Sequence, residues 1–337
     1  MTIVRNVCKM PIVAREKQLA DAYAAAHLYY EKGLTQEEVA RRIEVSRPTV
    51  SKLLALASRE AIVRVSVRRP GQRDVGLQTV LADALGLRAA LVLPGGATGG
   101  AAVREIMLAQ GALELLRETL PTLSKVEFLG LGWGRAMLAF VEALEQRGDV
   151  FLGGTAEVVP LIGGSGQSLE IFQINEMVRR AANALGATAR LLPAPALVKN
   201  ERLRAALLAE SSVGPVVEAW RKLDVAVVGI GRRLDPTYLA EYLQDEPLQH
   251  ESVVRSSVSD VCSHYFAANG TALGEEHDAR LIAASRDELK RIPVTVGVAG
   301  GPEKVAGIVG AARAGLVNAL VTDEETAKVC LQISQAA

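Results

Sequence analysis

Four stretches of this chain share one design: a short apolar run, rich in β-branched residues, that ends in a cluster of glycines. They are "VEFLGLGWGR", "EVVPLIGG", "VAVVGIG" and "VTVGVAGG". Apolar runs of this length, with no polar alternation, describe strands buried on both faces. Such strands alternating with helical periodicity describe a parallel sheet covered by helices. The pattern reads "AALVLP" then a helix over 103–120, "KVEFLGLGWG" then 135–146, and "AEVVPLIGG" then 172–185. Later come "DVAVVGIG", "IPVTVGVAGG" with a helix from Pro302, and "LVNALVTDEETAKVCL". Residues 77–337 are therefore predicted to form one α/β domain around a largely parallel sheet.

In such sheets ligands bind beyond the carboxyl ends of the strands, where the glycine-rich loops lie. Glycines there let backbone N–H groups converge on an anion, helped by the helix N-terminus that follows. Gly132, Trp133, Gly134, Arg135, Gly163, Gly164 and Lys304 fall in or just after these loops. They are candidates for a phosphate or polyol site. Trp133 fits a sugar-stacking platform or a core residue equally well. Gly130, Gly132 and Gly134 do not fit the dinucleotide spacing G-x-G-x-x-G, and no P-loop pattern occurs.

The net charge of zero conceals a division along the chain. Residues 1–73 hold 14 Lys and Arg against 7 Asp and Glu, so the acidic excess falls in the remainder. A basic head on an acidic body points to a polyanion as the partner of the head. The three cysteines, Cys8, Cys262 and Cys330, lack metal-ligand spacing, and the four histidines form no metal-binding pattern. There is no run of about 18 uncharged apolar residues and no signal-peptide pattern. The expectation is a reduced, cytoplasmic protein with no membrane segment, no metal and no cofactor.

Within the head three helical patterns follow one another. The first covers 17–31, with Leu19, Ala22, Tyr23, Ala26 and Tyr30 spaced to share a face, and Gly33 stops it. Thr35 and Glu38 in "TQEEVARRI" have the spacing of a capping box. After a short turn, Ser46 caps a third helix with Pro48 in its first turn. Val50, Leu53 and Leu54 face inward. Ser46, Arg47, Thr49, Ser51 and Lys52 then open that helix with hydroxyls and cations, where acidic residues would suit the helix dipole. Phosphates and base edges bind those groups. This is a helix-turn-helix over residues 1–70, with a recognition helix entering the major groove of operator double-stranded DNA and 64–67 reading as the strand of a wing.

Taken together, "LYYEKGLTQEEVARRIEVSRPTVSKLLALA", "GLGWGRA", "VVPLIGG", "LLPAPALV", "SDVCSHYFAANG" and "ELKRIPVTVGVAGGPEKVAGIVGAARAGLVNALVTDEETA" resemble the SorC/DeoR-type bacterial transcriptional regulators. The resemblance spans nearly the whole chain in order. It implies a Rossmann-like body similar to sugar-phosphate isomerases and deaminases, without their catalysis. It also implies a small sugar, polyol or sugar-phosphate effector and a homo-oligomer, dimer or tetramer, that controls a sugar-utilisation operon. Asp260 opens the pattern that in these regulators supplies a hydroxyl-binding carboxylate, and Lys304 in "GGPEK" fits a charge that meets the effector. The chain departs from the family at Ala136, where a Thr is usual, and at Ile162, where some relatives place a Lys that forms an imine. It departs again at Ser263, His264 and Ala267.

The alternative is an enzyme of the isomerase or deaminase kind, for which Asp260 and His264 supply the residue types of an acid–base pair. The DNA-reading head argues for sensing over turnover, so no catalytic residue is assigned.

Overall fold

The computed structural model describes residues 12–63, 74–95, 100–123, 125–147, 150, 152, 154–164, 173–231, 253 and 256–335. The chain divides into two compact units, Met1–Arg68 and Arg69–Ala337.

In the smaller unit, α1 (Ile12–Ala26) runs into a π-helical turn at His27–Glu31. α2 (Gln36–Arg42) and α3 (Arg47–Arg59) follow. Thr35 closes a capping box with Glu38, whose carboxylate accepts the Thr35 N–H at 2.8 Å. The turn before α3 holds Glu44 at φ 55°, in the left-handed region that residues other than glycine seldom enter. Val39, Ala40, Val50, Leu53, Leu54, Leu56 and Ala57 pack with Ala22, Ala25 and Ala26 into a small core. The buried stripe of α1 thus runs through alanines. Tyr23 and Tyr30, expected on that face, are 62% and 45% exposed. The buried face of α1 is taken by Ala22, Ala25 and Ala26, which leaves Tyr23 beside it, and the π-helical turn that follows shifts the phase at Tyr30. The strand expected over 64–67 lies outside the described residues.

Among the described residues the larger unit is built on seven parallel strands, β1 (Ala89–Leu93), β2 (Phe128–Leu131), β3 (Glu157–Pro160), β4 (Thr188–Ala189), β5 (Val225–Gly229), β9 (Val294–Val298) and β10 (Ala319–Asp323). They lie in the order β1-β10-β9-β5-β2-β3-β4. Alternate residues feed two cores. Leu91, Leu93, Val225, Val227, Val296 and Val321 face α5 (Gly100–Thr119), α6 (Arg135–Arg147) and α7 (Ile174–Leu185). Val92, Ala226, Val228 and Leu320 face the opposite layer, formed by α4 (Val75–Leu85), Val305–Arg313 and Glu324–Gln335 among others. Burial on both faces is why these strands read as unbroken apolar runs.

From β2 the chain steps outward to β3 and β4, whereas from β5 it proceeds the other way to β9 and β10. The order therefore reverses between β2 and β5, and the crevice beyond their carboxyl ends is the topological switch point. A separate antiparallel sheet of β6 (Ser259–Val261), β7 (His264–Phe266) and β8 (Ala272–Leu273) stands in the segment between β5 and β9. Its first hairpin turns on Cys262 and Ser263 at φ 50° and 64°, the geometry of a two-residue turn with both central residues left-handed.

Candidate functional site

The DNA-facing candidates sit on the first two turns of α3. Ser46 is the N-cap: its hydroxyl accepts the Thr49 N–H at 3.3 Å and bonds the Thr49 hydroxyl at 2.8 Å. These two residues therefore build the helix start. Arg47, Ser51 and Lys52 are exposed, and among the described residues neither Arg47 nor Lys52 takes part in an ion pair. Arg41 and Arg42, exposed in the last turn of α2, add two cations that the sequence counted in the charge of the head but not in the site.

The effector candidates gather at the carboxyl edge of the large sheet. At the end of β5, the Lys304 ammonium donates to the Ile230 carbonyl at 2.6 Å, and the Gly231 N–H donates to the Asp260 backbone carbonyl at 2.9 Å. The Asp260 carboxylate accepts the Ser263 N–H at 3.0 Å, which fixes the β6–β7 turn. A Cβ on Gly231 would stand 1.8 Å from Asp260 Oδ1, so only glycine admits the carboxylate there. Burial raises the Asp260 carboxyl above its ordinary value, against the Ser263 N–H and the charges of Lys304 and His264, which lower it.

The glycines behave differently from the expectation of an anion cradle. Gly132 N–H donates to Val227 O, Gly163 N–H to Ile282 O and Gly164 N–H to Ala194 O, each at 2.9 Å. These N–H groups are engaged inside the protein. The glycines serve close packing instead: a Cβ on Gly163 would lie 2.4 Å from the Pro195 carbonyl oxygen. Gly134, at φ 103°, makes the turn into α6. Arg135 begins that helix and pairs with Glu105 at 3.3 Å, its side chain largely exposed. Trp133 is partly buried and packs against Ile162, Leu281 and Ala283, so the indole belongs at least in part to the core.

His264 is not poised as a base. Its Nε2 lies 2.8 Å from the Ala284 carbonyl and its Nδ1 lies 3.1 Å from Asp278 Oδ1, so both ring nitrogens are engaged. Among the described residues no group of three or more His, Cys, Asp or Glu is placed to hold a metal ion. Nor is any helix there long and apolar enough to cross a membrane.

A basic three-helix head and a doubly wound body with a polar crevice at its switch point define a ligand-responsive DNA-binding protein. Residues 70–332 match the family described as "Putative sugar-binding domain". The chain is 30% identical over 312 residues to the sorbitol operon regulator of Klebsiella pneumoniae, covering 91% of this chain and 96% of that one. It is 27% identical over 316 residues to the deoxyribonucleoside regulator of Bacillus subtilis, covering 93% and 97%. The crystal structure of the full-length sorbitol operon regulator SorC from Klebsiella pneumoniae superposes with a TM-score of 0.68 at 27% identity. That match covers 94% of this chain and 99% of the other. A DeoR family regulator from Listeria monocytogenes superposes at 0.64 with 25% identity, covering 76% and 98%. The chain belongs to the SorC/DeoR-type transcriptional regulators.

Proposed function

We propose that this protein is a cytoplasmic, homo-oligomeric regulator that binds operator DNA through α3 and releases or grips it according to a small sugar, polyol or sugar-phosphate effector. The observation that carries the effector site is the convergence of Asp260 and Lys304 on Ile230 and Gly231, beside the switch point. A carboxylate accepts from adjacent hydroxyls, and an ammonium donates to a hydroxyl or phosphate oxygen. Asp260, Lys304, Trp133, Gly134 and Arg135 are the residues offered to the effector, with Gly132, Gly163 and Gly164 shaping the loops around them. The printed names of the relatives, a sorbitol operon regulator and a deoxyribonucleoside regulator, support a carbohydrate or polyol operon as the target.

The chemistry supports sensing over catalysis, because His264, the histidine that the sequence offered beside Asp260, has both nitrogens engaged. An effector that binds two subunit arrangements unequally shifts their populations and with them the spacing of paired recognition helices. The test has two steps. Operator fragments are selected from genomic DNA with the purified protein, and a panel of sugars, polyols and their phosphates is then screened by thermal shift and by gel shift on the selected DNA. A compound that stabilises the protein and changes its DNA affinity supports the reading. Stabilisation by none of the panel, or DNA affinity indifferent to every stabilising compound, overturns it.

A further inference from the structure

We propose that the body carries a second ligand site, separate from the crevice at Asp260 and Lys304. It is a cavity that takes a small oxyanion, phosphate or carboxylate, on the guanidinium groups of Arg204 and Arg286. The cavity measures about 260 Å³ and is lined by Arg204, His264, Asp278, Ser285, Arg286 and Asp287, with Leu281 and Ala283 as its apolar wall.

The class of ligand follows from which polar groups are already engaged. Asp278 accepts from Arg286 Nε at 2.6 Å through one oxygen and faces His264 Nδ1 at 3.1 Å with the other. His264 Nε2 faces the Ala284 carbonyl, and the Ser285 hydroxyl donates to Glu288 at 2.8 Å. Both ring nitrogens of His264 are thus engaged, and Asp278 is held by Arg286 on one oxygen and faces the imidazole with the other. Arg286 uses one terminal nitrogen on the Tyr265 and Leu273 carbonyls. Among the described residues Arg204 engages only its Nε, on the Leu281 carbonyl at 2.7 Å. The groups left to a ligand are thus guanidinium N–H donors, whose planar fork matches carboxylate and phosphate oxygens. That fork matches the paired oxygens of an oxyanion better than the single hydroxyls of a polyol, and the acceptors of Asp278 are already engaged. Asp287, exposed, is the opposing charge on the lining.

The wall of this cavity is shared. Leu281 and Ala283 also pack against Ile162 and Trp133. The same segment bridges Ile162 through Ala283 and receives the Gly163 N–H on Ile282. An occupant would press on the 281–283 segment, which backs Ile162 and Gly163 just after β3.

The experiment titrates the full chain with inorganic phosphate and, separately, with succinate, at constant ionic strength against chloride. It follows Tm and the ring resonances of 13C-labelled histidine. The expected result is a saturating rise in Tm, with the His264 resonance moving over the same concentration range. The two arms show which oxyanion the cavity prefers. Arg204→Gln should weaken the response at least about tenfold. Asp287→Asn, an exposed change, should strengthen it, and Lys304→Ala should leave it in place. A response lost in Lys304→Ala but retained in Arg204→Gln would assign the anion to the effector crevice and overturn the proposal. So would a His264 resonance that stays still, or a Tm shift no different from that of chloride. Should Arg204→Gln fail to fold, the resonance and the Asp287→Asn comparison decide the matter.

Discussion

Asp260 and Lys304, 44 positions apart in the chain, grip consecutive residues at the end of one strand: Lys304 bonds the Ile230 carbonyl, and Asp260 takes the Gly231 N–H on its own carbonyl. A ligand that draws the Lys304 ammonium toward itself must compete with a 2.6 Å bond to the backbone. A change at Lys304 is thereby transmitted to the tip of β5. Lys304→Ala should abolish the response of DNA binding to the effector while leaving effector-free DNA affinity nearly intact. Gel-shift titrations with and without effector measure both.

Asp260 makes a prediction about stability. Burial holds its folded carboxyl above the unfolded value of about 3.9, so the native state takes up this proton first. The stability linked to this group is greatest below the unfolded pKa and declines as pH rises through the raised folded one. Asn lacks that charge penalty and still offers an oxygen to the Ser263 N–H. Asp260→Asn should therefore show equal or higher Tm than the parent at neutral pH, with a flatter decline as pH rises from about 4, and should lose its effector response. Thermal unfolding across pH measures the first, and gel shift the second.

Much of the fold is legible in the chain because buried parallel strands advertise themselves. Val225, Ala226, Val227 and Val228 have no polar face to disguise them, and the Thr35–Glu38 and Ser46 caps mark the helix starts of the head. What escapes the sequence depends on three-dimensional phase and on close approach. Tyr23 and Tyr30 fall at plausible core spacing, yet three alanines take the buried face beside Tyr23 and a π-helical turn shifts the phase at Tyr30. The β6–β7 hairpin was hidden because Cys262 and Ser263 take left-handed conformations without being glycine. Nor does a glycine reveal whether it frees an N–H for a ligand or only makes room for a neighbour. Gly163 and Gly231 prove to do the second, as their missing Cβ atoms show.

That distinction is testable. Gly163→Ala would push a methyl group to 2.4 Å from the rigid Pro195 carbonyl, and backbone cannot swing aside as a side chain can. The expected cost is about 1–3 kcal/mol or more, seen as a lowered denaturation midpoint. Gly231→Ala instead meets the Asp260 carboxylate. It should displace that side chain and impair effector response beyond any loss of stability, so equal ratios of functional to stability loss in the two variants would contradict this account.

The two buried thiols give a compact check on the body. Burial pushes the Cys330 thiol up to about 12 and raises the Cys262 thiol further, beside Asp260. Thiolate, the reactive form, is thus scarce at both. Neither should react with a thiol reagent at neutral pH until the protein unfolds, and peptide mapping after native labelling would show modification at either if the packing is wrong.

The opening of α3 allows capping and DNA reading to be separated. The Ser46 hydroxyl accepts the Thr49 N–H and bonds the Thr49 hydroxyl, whereas Arg47 and Lys52 stand exposed and outside any ion pair among the described residues. Ser46→Ala should cost the head about 1 kcal/mol of stability. Its DNA affinity should fall only as far as the helix start frays. Arg47→Ala should leave stability unchanged within about 0.5 kcal/mol. It should weaken specific DNA binding by roughly 1–3 kcal/mol if Arg47 reads a base edge. Lys52→Ala should weaken specific and non-specific DNA alike and lower the salt dependence of binding by about one counterion, as loss of a phosphate contact does. Salt-dependent gel shifts on selected and scrambled sequences separate the three outcomes, and unchanged affinity in an Arg47→Ala, Lys52→Ala double variant would remove α3 from the DNA interface.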